Sequence, residues 1–427
     1  MGVMCSFQDN PMVYFAKTNH RDQNTLFGIK RADRLFHFYI TGKTGTGKST
    51  LLKTLILQDI HNGEGVTVID PHGDMVSEIA KSIPKHRKDD LIYFNVPDSS
   101  QPYGYNPVSH VVPEKRALAA SGMLEVFHKY WGDKAWGQRM EYIFRNALLA
   151  ILELPNVTLL DLVELLRNDT YRTSILPKIT NEQVRLFWKN EYPQYSKRYR
   201  TESIAPIQNK VGAFLSDPLL CRVLTASKEP LRFRSIMDNG KILLVNLSKG
   251  QLGEDTAGLL GALLVTSLGL AGFSRADIPP EKRKLHFIFM DEFHNFTTLS
   301  MANMLSEIRK QNVALTLAHQ FTSQLKPEIR DAVLGNAGTI IVFRLGAHDA
   351  PHISKEFYPR FEMVDVLNLP NYGVFIKLMI DGAPSKPFSA TTIEPQHMSS
   401  VLVRQKYKSE PTPPQKDDDV NSVIARE

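Results

Sequence analysis

The run Gly42-Lys43-Thr44-Gly45-Thr46-Gly47-Lys48-Ser49-Thr50 constrains this chain more than any other stretch. Gly42, Gly47, Lys48 and Ser49 fill the phosphate-loop spacing G-x-x-x-x-G-K-[ST]. Small residues let backbone N–H groups curl around phosphate oxygens, and a helix starting at the end of the loop aims its positive pole at them. The apolar run 35–41 predicts a strand before the loop, and residues 48–61 predict a helix after it. A glycine-rich turn could fit the pattern by accident, but the strand–loop–helix setting favours a nucleotide site. Residues 42–50 are therefore the expected nucleotide-binding segment. Lys48 is placed to reach the β- and γ-phosphates, and the Ser49 hydroxyl to ligate Mg²⁺.

Around this loop the pattern is α/β. Residues 1–34 read as polar and irregular with a basic bias (Lys17, Arg21, Lys30, Arg31, Arg34). Residues 65–70 and 91–96 predict strands, and from 113 to 227 the pattern is helical with no clear strand. Strands resume at 241–247, 285–291, 313–319 and 338–345. Segments 372–381 and 386–392 predict a closing hairpin around Asp381-Gly382. The proline- and charge-rich stretch from 410 onward predicts a flexible tail. An unstructured loop spanning 106–239 would be implausibly long, whereas an inserted helical domain would not. The expected organisation is a core formed by 1–112 and 236–395, interrupted by an all-helical insertion at 113–235 and followed by a tail at 396–427.

Composition narrows the class. With 427 residues, 42% of them hydrophobic, the chain can bury a large core. Cys5 and Cys221 are its two cysteines and stand far apart, which speaks for a reducing cytosol and against a disulfide or zinc framework. The N-terminus lacks a basic region followed by an apolar core, so no secretory signal is expected. The apolar stretch 258–273 falls short of the ~20 residues a bilayer span needs and predicts a buried helix rather than a membrane segment. The formal charge of +6 permits nucleic-acid binding without demonstrating it.

Hydrolysis needs a metal-holding carboxylate and a group that orients water. Residues 285–290 form an apolar run ending in Asp291-Glu292, which supplies both. Asp291 is expected in the Mg²⁺ shell and Glu292 as general base. Three other groupings are weaker. Asp70-Pro71-His72-Gly73-Asp74 reads equally as a loop near the nucleotide or as a tight turn. Residues 189–200 interleave Tyr192, Tyr195 and Tyr199 with Lys197, Arg198 and Arg200. That mix suits a nucleic-acid strand, but a solvated helix end with inward rings is the simpler reading. His348 and His352 share a helix face only if Pro351 allows a helix; a loop is expected there and no zinc site.

Taken together, TGKTGTGKST (41–50), VIDPHGD (68–74), FMDEFHNF (289–296) and LTLAHQ (315–320) resemble the HerA–FtsK group of P-loop ATPases. Within it they are most similar to the type IV secretion and conjugation ATPases often called coupling proteins. YGYNP (103–107), WGQRMEYIFRNALLAIL (136–152), APIQNKVGAFLSDP (205–218) and LPNYGVFIKLMIDGAPSKPF (369–388) extend the resemblance to about residues 24–393. It implies a RecA-like core with an inserted all-α domain, ATP as the nucleotide, and a ring, expected to be hexameric, that moves DNA through its channel. It also implies Gln320 as a polar sensor beside the γ-phosphate. Arg309 would be a finger reaching the nucleotide of a neighbouring subunit, with Lys310 and Arg344 as weaker alternatives; a basic residue near a helix C-terminus is the plain alternative. His294 stands where the family usually has glutamine. The resemblance points to DNA, other copies of the chain and secretion or conjugation components as partners. With no membrane helix expected, it suggests a cytoplasmic protein recruited to the inner membrane by those partners. Its rivals are a secretion or pilus-assembly ATPase that does not pump DNA, a HerA-type motor in DNA-end processing, and a nucleotide-dependent scaffold.

Overall fold

The computed structural model describes residues 12–20, 23–109, 111–225 and 228–395. Cys5 and the expected tail lie outside them. An eleven-stranded sheet dominates the architecture. Seven strands run parallel, in the spatial order Thr339–Val342, Phe38–Thr41, Val313–His319, His286–Met290, Gly65–Asp70, Ile242–Asn246 and Leu91–Asn95. The five from Thr339–Val342 to Gly65–Asp70, together with Ile242–Asn246, are buried throughout. Their near-continuous apolar sequences, such as HFIFM and ILLVN, are what a sheet covered on both faces requires.

Four antiparallel strands extend the sheet past Thr339–Val342: Gly373–Lys377, Phe388–Thr392, Met12–Thr18 and Leu26–Lys30. The last two correct the reading of residues 1–34 as irregular. Val13, Phe15 and Ala16 are buried against the sheet edge, and the pairing partner Phe388–Thr392 lies more than 370 positions away in sequence (Ala16 pairs with Thr392), where periodicity cannot see it. The predicted strand 35–41 likewise shortens to Phe38–Thr41, because Asp33–Phe36 forms a 3₁₀ turn. The closing hairpin is present in two parts. Gly373–Lys377 pairs with Phe388–Thr392, and Met379–Ile380 pairs with Ala383–Pro384 around Asp381-Gly382. The Asp33 carboxylate accepts from the backbone N–H of Asp381 and Gly382 and anchors that tip.

Alternation along each strand sends side chains to two faces. Phe38, Ile40, Val66 and Val68 pack with the helix Lys48–His61 and with Asp74–Lys81 on one face. Tyr39, Ile69, Ile288 and Leu315 face the other way, into a cluster that runs without a break into the helices between Arg116 and Thr225. Glu254–Ser274 carries that continuity. By length and composition the span from Glu254 to Asp277 is apolar enough to cross a membrane, yet 67% of its apolar window is buried inside the protein. A helix apolar all round is enclosed on all sides, and here helices and sheet enclose it. Every described element from Arg116 to Thr225 is a helix.

One further local reading changes. Pro351 occupies the first turn of the short helix Ala350–Ile353, where its missing N–H costs nothing, so the expected loop is a helix. In the tyrosine-rich run, Tyr192 is buried with Arg172 over its ring at 4.6 Å, and the Tyr195 and Tyr199 rings meet at 4.7 Å, tilted by 52°. Arg198 points to solvent and pairs with Glu202.

Candidate functional site

The parallel strands deliver the site. Phe38–Thr41 leads into the phosphate loop, His286–Met290 into Asp291-Glu292, and Val313–His319 into Gln320. Val313–His319 lies between the other two, with His319 beside Thr41 and Leu317 beside Met290. It therefore projects beyond the acid strand, and its next residue stands between loop and carboxylates. Gln320 uses both ends of its amide there. Thr44 Oγ1 donates to Gln320 Oε1 at 2.7 Å, and Gln320 Nε2 donates to Glu292 Oε1 at 2.5 Å.

The loop is built to hold an anion. Gly45 and Gly47 have φ of 74° and 120°, in the region that favours glycine. Thr46 is buried and its hydroxyl donates to the carbonyl of Lys43, closing the loop on itself. Lys43, Thr44, Gly45 and Ser49 are exposed, and Thr50 half-buried, at the N-terminus of Lys48–His61. Lys48 is buried, and its ammonium donates to the carbonyls of Gly42 at 2.6 Å and Lys43 at 3.1 Å. Burial lowers its pKa, with Glu292 and Asp291 opposing that. Such contacts are exchangeable for phosphate oxygens, which offer the ammonium a full negative charge.

Opposite the loop the acids are crowded. Asp291 is 6% exposed, and burial first, then Glu292 and Asp70, push its carboxyl up to about 7. Glu292 adopts left-handed backbone, φ 45°, and its N–H donates to Asp291 Oδ1. Its second oxygen, Oε2, has no hydrogen-bond partner and lies 3.4 Å from His294 Nδ1. Burial, Lys129 and Lys249 hold His294 down at about 4, so it faces Glu292 as a neutral ring. Asp70 is chiefly a turn residue, accepting from the N–H of His72 and Val76, but its charge is felt at Asp291. The exposed Ser49 hydroxyl and the crowded Asp291 carboxyl offer hard oxygen donors of the kind Mg²⁺ takes, and a cation would relieve the crowding.

Of the nine loop residues and four further candidates, the structure brings together all but Arg309. That residue lies in the turn Ile308–Gln311, at the opposite end of Val313–His319, a strand roughly 20 Å long at the usual rise per residue. It is exposed, with its guanidinium 5.0 Å from the Phe36 ring centre. It cannot serve the nucleotide of its own chain. Arg344 is near the loop, but its guanidinium is bound to Leu369 O and Asn371 Oδ1. Lys310 is exposed beside Arg309.

Sequence reasoning missed Tyr372. Its N–H donates to Thr46 O at 2.8 Å, and a Cβ on Gly47 would lie 2.8 Å from its ring. Its left-handed backbone, φ 64°, is uncommon for a bulky residue. Nothing in Asn371-Tyr372-Gly373 announces a neighbour of the phosphate loop, since the contact spans more than 300 residues.

A family model described as helicase HerA, central domain, matches residues 31–264. Among solved structures, plasmid coupling protein TrwB with the non-hydrolysable ATP analogue ADPNP is 17% identical, with TM-score 0.61 and 89% of each chain covered. TrwB with ADP and Mg²⁺ is 18% identical at TM-score 0.60, covering 86% of this chain and 87% of that one. VirB4 of Thermoanaerobacter pseudethanolicus is 17% identical at TM-score 0.62, covering 90% of this chain and 97% of the other. At these identities the likeness is one of fold. No curated protein sequence matches the chain.

Proposed function

Because the chain belongs to the family of the HerA helicase central domain, we propose that it is a Mg²⁺-dependent ATPase of the type IV secretion class that moves DNA through a ring of its own copies. The observation that carries the ATPase part is Gln320, which links the phosphate loop through Thr44 to the carboxylate of Glu292. Lys48 exchanges its two loop carbonyls for phosphate oxygens, and residues 42–50 wrap the phosphates with backbone N–H groups. Ser49 and Asp291 hold Mg²⁺, which supplies neutralisation of phosphate charge. Glu292 accepts the proton of the water that attacks the γ-phosphorus as the bond to the bridging oxygen breaks. Gln320 orients that water and reports the presence of the γ-phosphate. TrwB, which has this fold, binds an ATP analogue in one structure and ADP with Mg²⁺ in another, and that supports the nucleotide.

The ring reading rests on Arg309. An exposed arginine that cannot reach its own site suits a neighbour's, where it would stabilise charge on the transferred phosphoryl group. Residues 113–235 act in this reading as an inserted domain, and partners at the inner membrane recruit an otherwise cytoplasmic protein. A second reading has one observation in its favour. The formal charge is only +6 over 427 residues, a weak general attraction for a polyanion. That suits a secretion ATPase of the same fold that does not pump DNA.

One experiment separates the readings: ATP turnover of the purified chain with no DNA, single-stranded DNA and double-stranded DNA, over a range of protein concentrations. A translocase is stimulated by at least one DNA form, and its rate per subunit climbs with concentration as rings assemble. Turnover indifferent to DNA selects the second reading, and absence of turnover overturns both. Glu292→Gln lowers turnover by about a hundredfold or more, the scale of losing a positioned base, while nucleotide binding persists. In mixed rings, inactive Glu292→Gln and Arg309→Ala subunits restore part of the activity; a mixture as inactive as its components removes Arg309 as a finger.

A further inference from the structure

The turn after the acid pair is held from outside the sheet. Glu292 leads into the 3₁₀ turn Phe293–Asn295. Asn295 grips Glu292 twice, donating its backbone N–H and its side-chain amide to the Glu292 carbonyl, each at 3.0 Å. Asn295 is gripped in turn by the last turn of Arg116–Trp131, the first long helix of the helical stretch. Lys129 Nζ donates to Asn295 O at 2.9 Å and to His294 O at 3.1 Å, and the Tyr130 hydroxyl donates to Asn295 O. Tyr130 is lodged against Gly258 of Glu254–Ser274, where a Cβ would come within 2.8 Å of its ring carbons. Beside this junction lies a cavity of about 290 Å³, lined by Lys129, His294, Gln324 and Lys326 among others. On that side the helix and the turn are therefore joined by hydrogen bonds rather than by packed side chains.

We propose that Lys129 and Tyr130 are positioning residues for Glu292, setting where its carboxylate sits through Asn295. The inference rests on the reading of Glu292 as general base. Its physical content is that Glu292 sits in left-handed backbone, a conformation that surroundings must impose on a non-glycine residue. Gln320 constrains the carboxylate end, and the Asn295 grip constrains the backbone end. A displacement of the helix end by a fraction of an ångström is passed along this short chain to the proton acceptor. Motion in the helical stretch is thereby linked to hydrolysis.

The test uses the full chain and compares kcat, KM for ATP and affinity for a fluorescent ATP analogue. Tyr130→Phe and Lys129→Met together lower kcat by between about tenfold and a hundredfold, the range reached when a catalytic group is misplaced by an ångström. KM and analogue affinity stay within about twofold. Lys129→Arg, which keeps a donor, recovers most of the loss. Gly258→Ala, whose added Cβ would meet the Tyr130 hydroxyl first, drives that donor aside and reproduces the Tyr130→Phe defect with Lys129 and Tyr130 themselves unchanged. In a Glu292→Gln background the double variant causes no further loss. Wild-type kcat in the double variant, with Glu292→Gln inactive, overturns the proposal and leaves the base assignment standing. A parallel rise in KM, or failure of Lys129→Arg to rescue, makes the contact merely structural. Full turnover in Glu292→Gln overturns the base assignment and this proposal with it.

Discussion

The two ends of the parallel strands treat charge in opposite ways. At the amino ends, arginines are buried among partners. Arg87 donates to the carbonyls of Ile60, Glu64 and Gly240, and to Asp90. Arg275 donates to Gln311 O, Lys284 O and Asp238. These carbonyls flank the starts of Gly65–Asp70, Ile242–Asn246, His286–Met290 and Val313–His319, so each guanidinium ties several strand ends together. Arg34 and Asp59, both almost wholly buried, form an ion pair of opposite charges through one contact, with Arg34 3.8 Å above the Phe287 ring and with Arg34 Nε, Arg34 Nη2 and Asp59 Oδ2 left without a hydrogen bond. At the carboxyl ends like charges gather instead: Asp70, Asp291 and Glu292 crowd one another, and a Glu292 oxygen lacks a partner. One end uses charge to hold strands in register. The other stores unfavourable charge for something that arrives later.

The largest effect expected from breaking this contrast is at Arg34. Arg34→Met leaves Asp59 buried and alone, which costs about 3–5 kcal/mol; urea unfolding should show the fall in midpoint. Arg34→Met with Asp59→Asn should be less damaging than Arg34→Met alone. Equal loss in both would show that the pair is not what holds the amino end.

Next in size is acid sensitivity. His37, His286 and His319 are buried, and burial holds them at about 4, about 3 and about 3 against an ordinary 6.5. Each is neutral in its place: Leu315 N–H donates to His37 Nδ1, and Thr67 and Tyr39 hydroxyls meet His286 and His319 at 2.8 and 2.6 Å. The unfolded chain takes up protons on these rings that the folded chain refuses. Stability is therefore full above about pH 6.5 and declines as pH falls from there toward 3–4. Melting temperature against pH measures this, and a flat profile from 7 to 4.5 would contradict it.

The smallest effect has the opposite sign. Asp291→Asn removes the like-charge crowding at the carboxyl ends and should stabilise the nucleotide-free protein by about 1 kcal/mol, well under the full shift, because burial is its first cause and a buried unpaired amide keeps much of that cost. Because the folded carboxyl is pushed up to about 7 from 3.8, the penalty is absent below about pH 4 and complete above about pH 7. The gain should grow across that window while Mg²⁺-dependent turnover is lost. Destabilisation by Asp291→Asn would place that carboxylate with the structural charges of the amino end.

The carboxyl-end site was legible in sequence to an unusual degree because its parts are local. A phosphate loop needs only nine adjacent residues and the elements on either side, and Asp291-Glu292 needs only a strand before it. The edge strands Met12–Thr18 and Leu26–Lys30 were not legible, since their burial depends on Phe388–Thr392 being alongside. The basic bias of residues 30–34 misled for the same reason. Arg34 is a core residue, and Arg31 pairs with Glu64. A run of cations looks like surface until the structure supplies a buried partner.

Residues 42–50, the acid pair and the α/β rhythm were thus determined by the sequence alone, because short-range geometry and apolar periodicity suffice for them. The order of the strands was decided only by the tertiary structure. Placing Val313–His319 between Phe38–Thr41 and His286–Met290 is what lets Gln320 touch Thr44 and Glu292 together. The same holds for Arg309, sent to the far end of the sheet, and for Lys129 and Tyr130, brought beneath Asn295 from more than 160 positions away. Such contacts arise from packing two faces of one sheet at once, and no local pattern encodes which partners that packing selects.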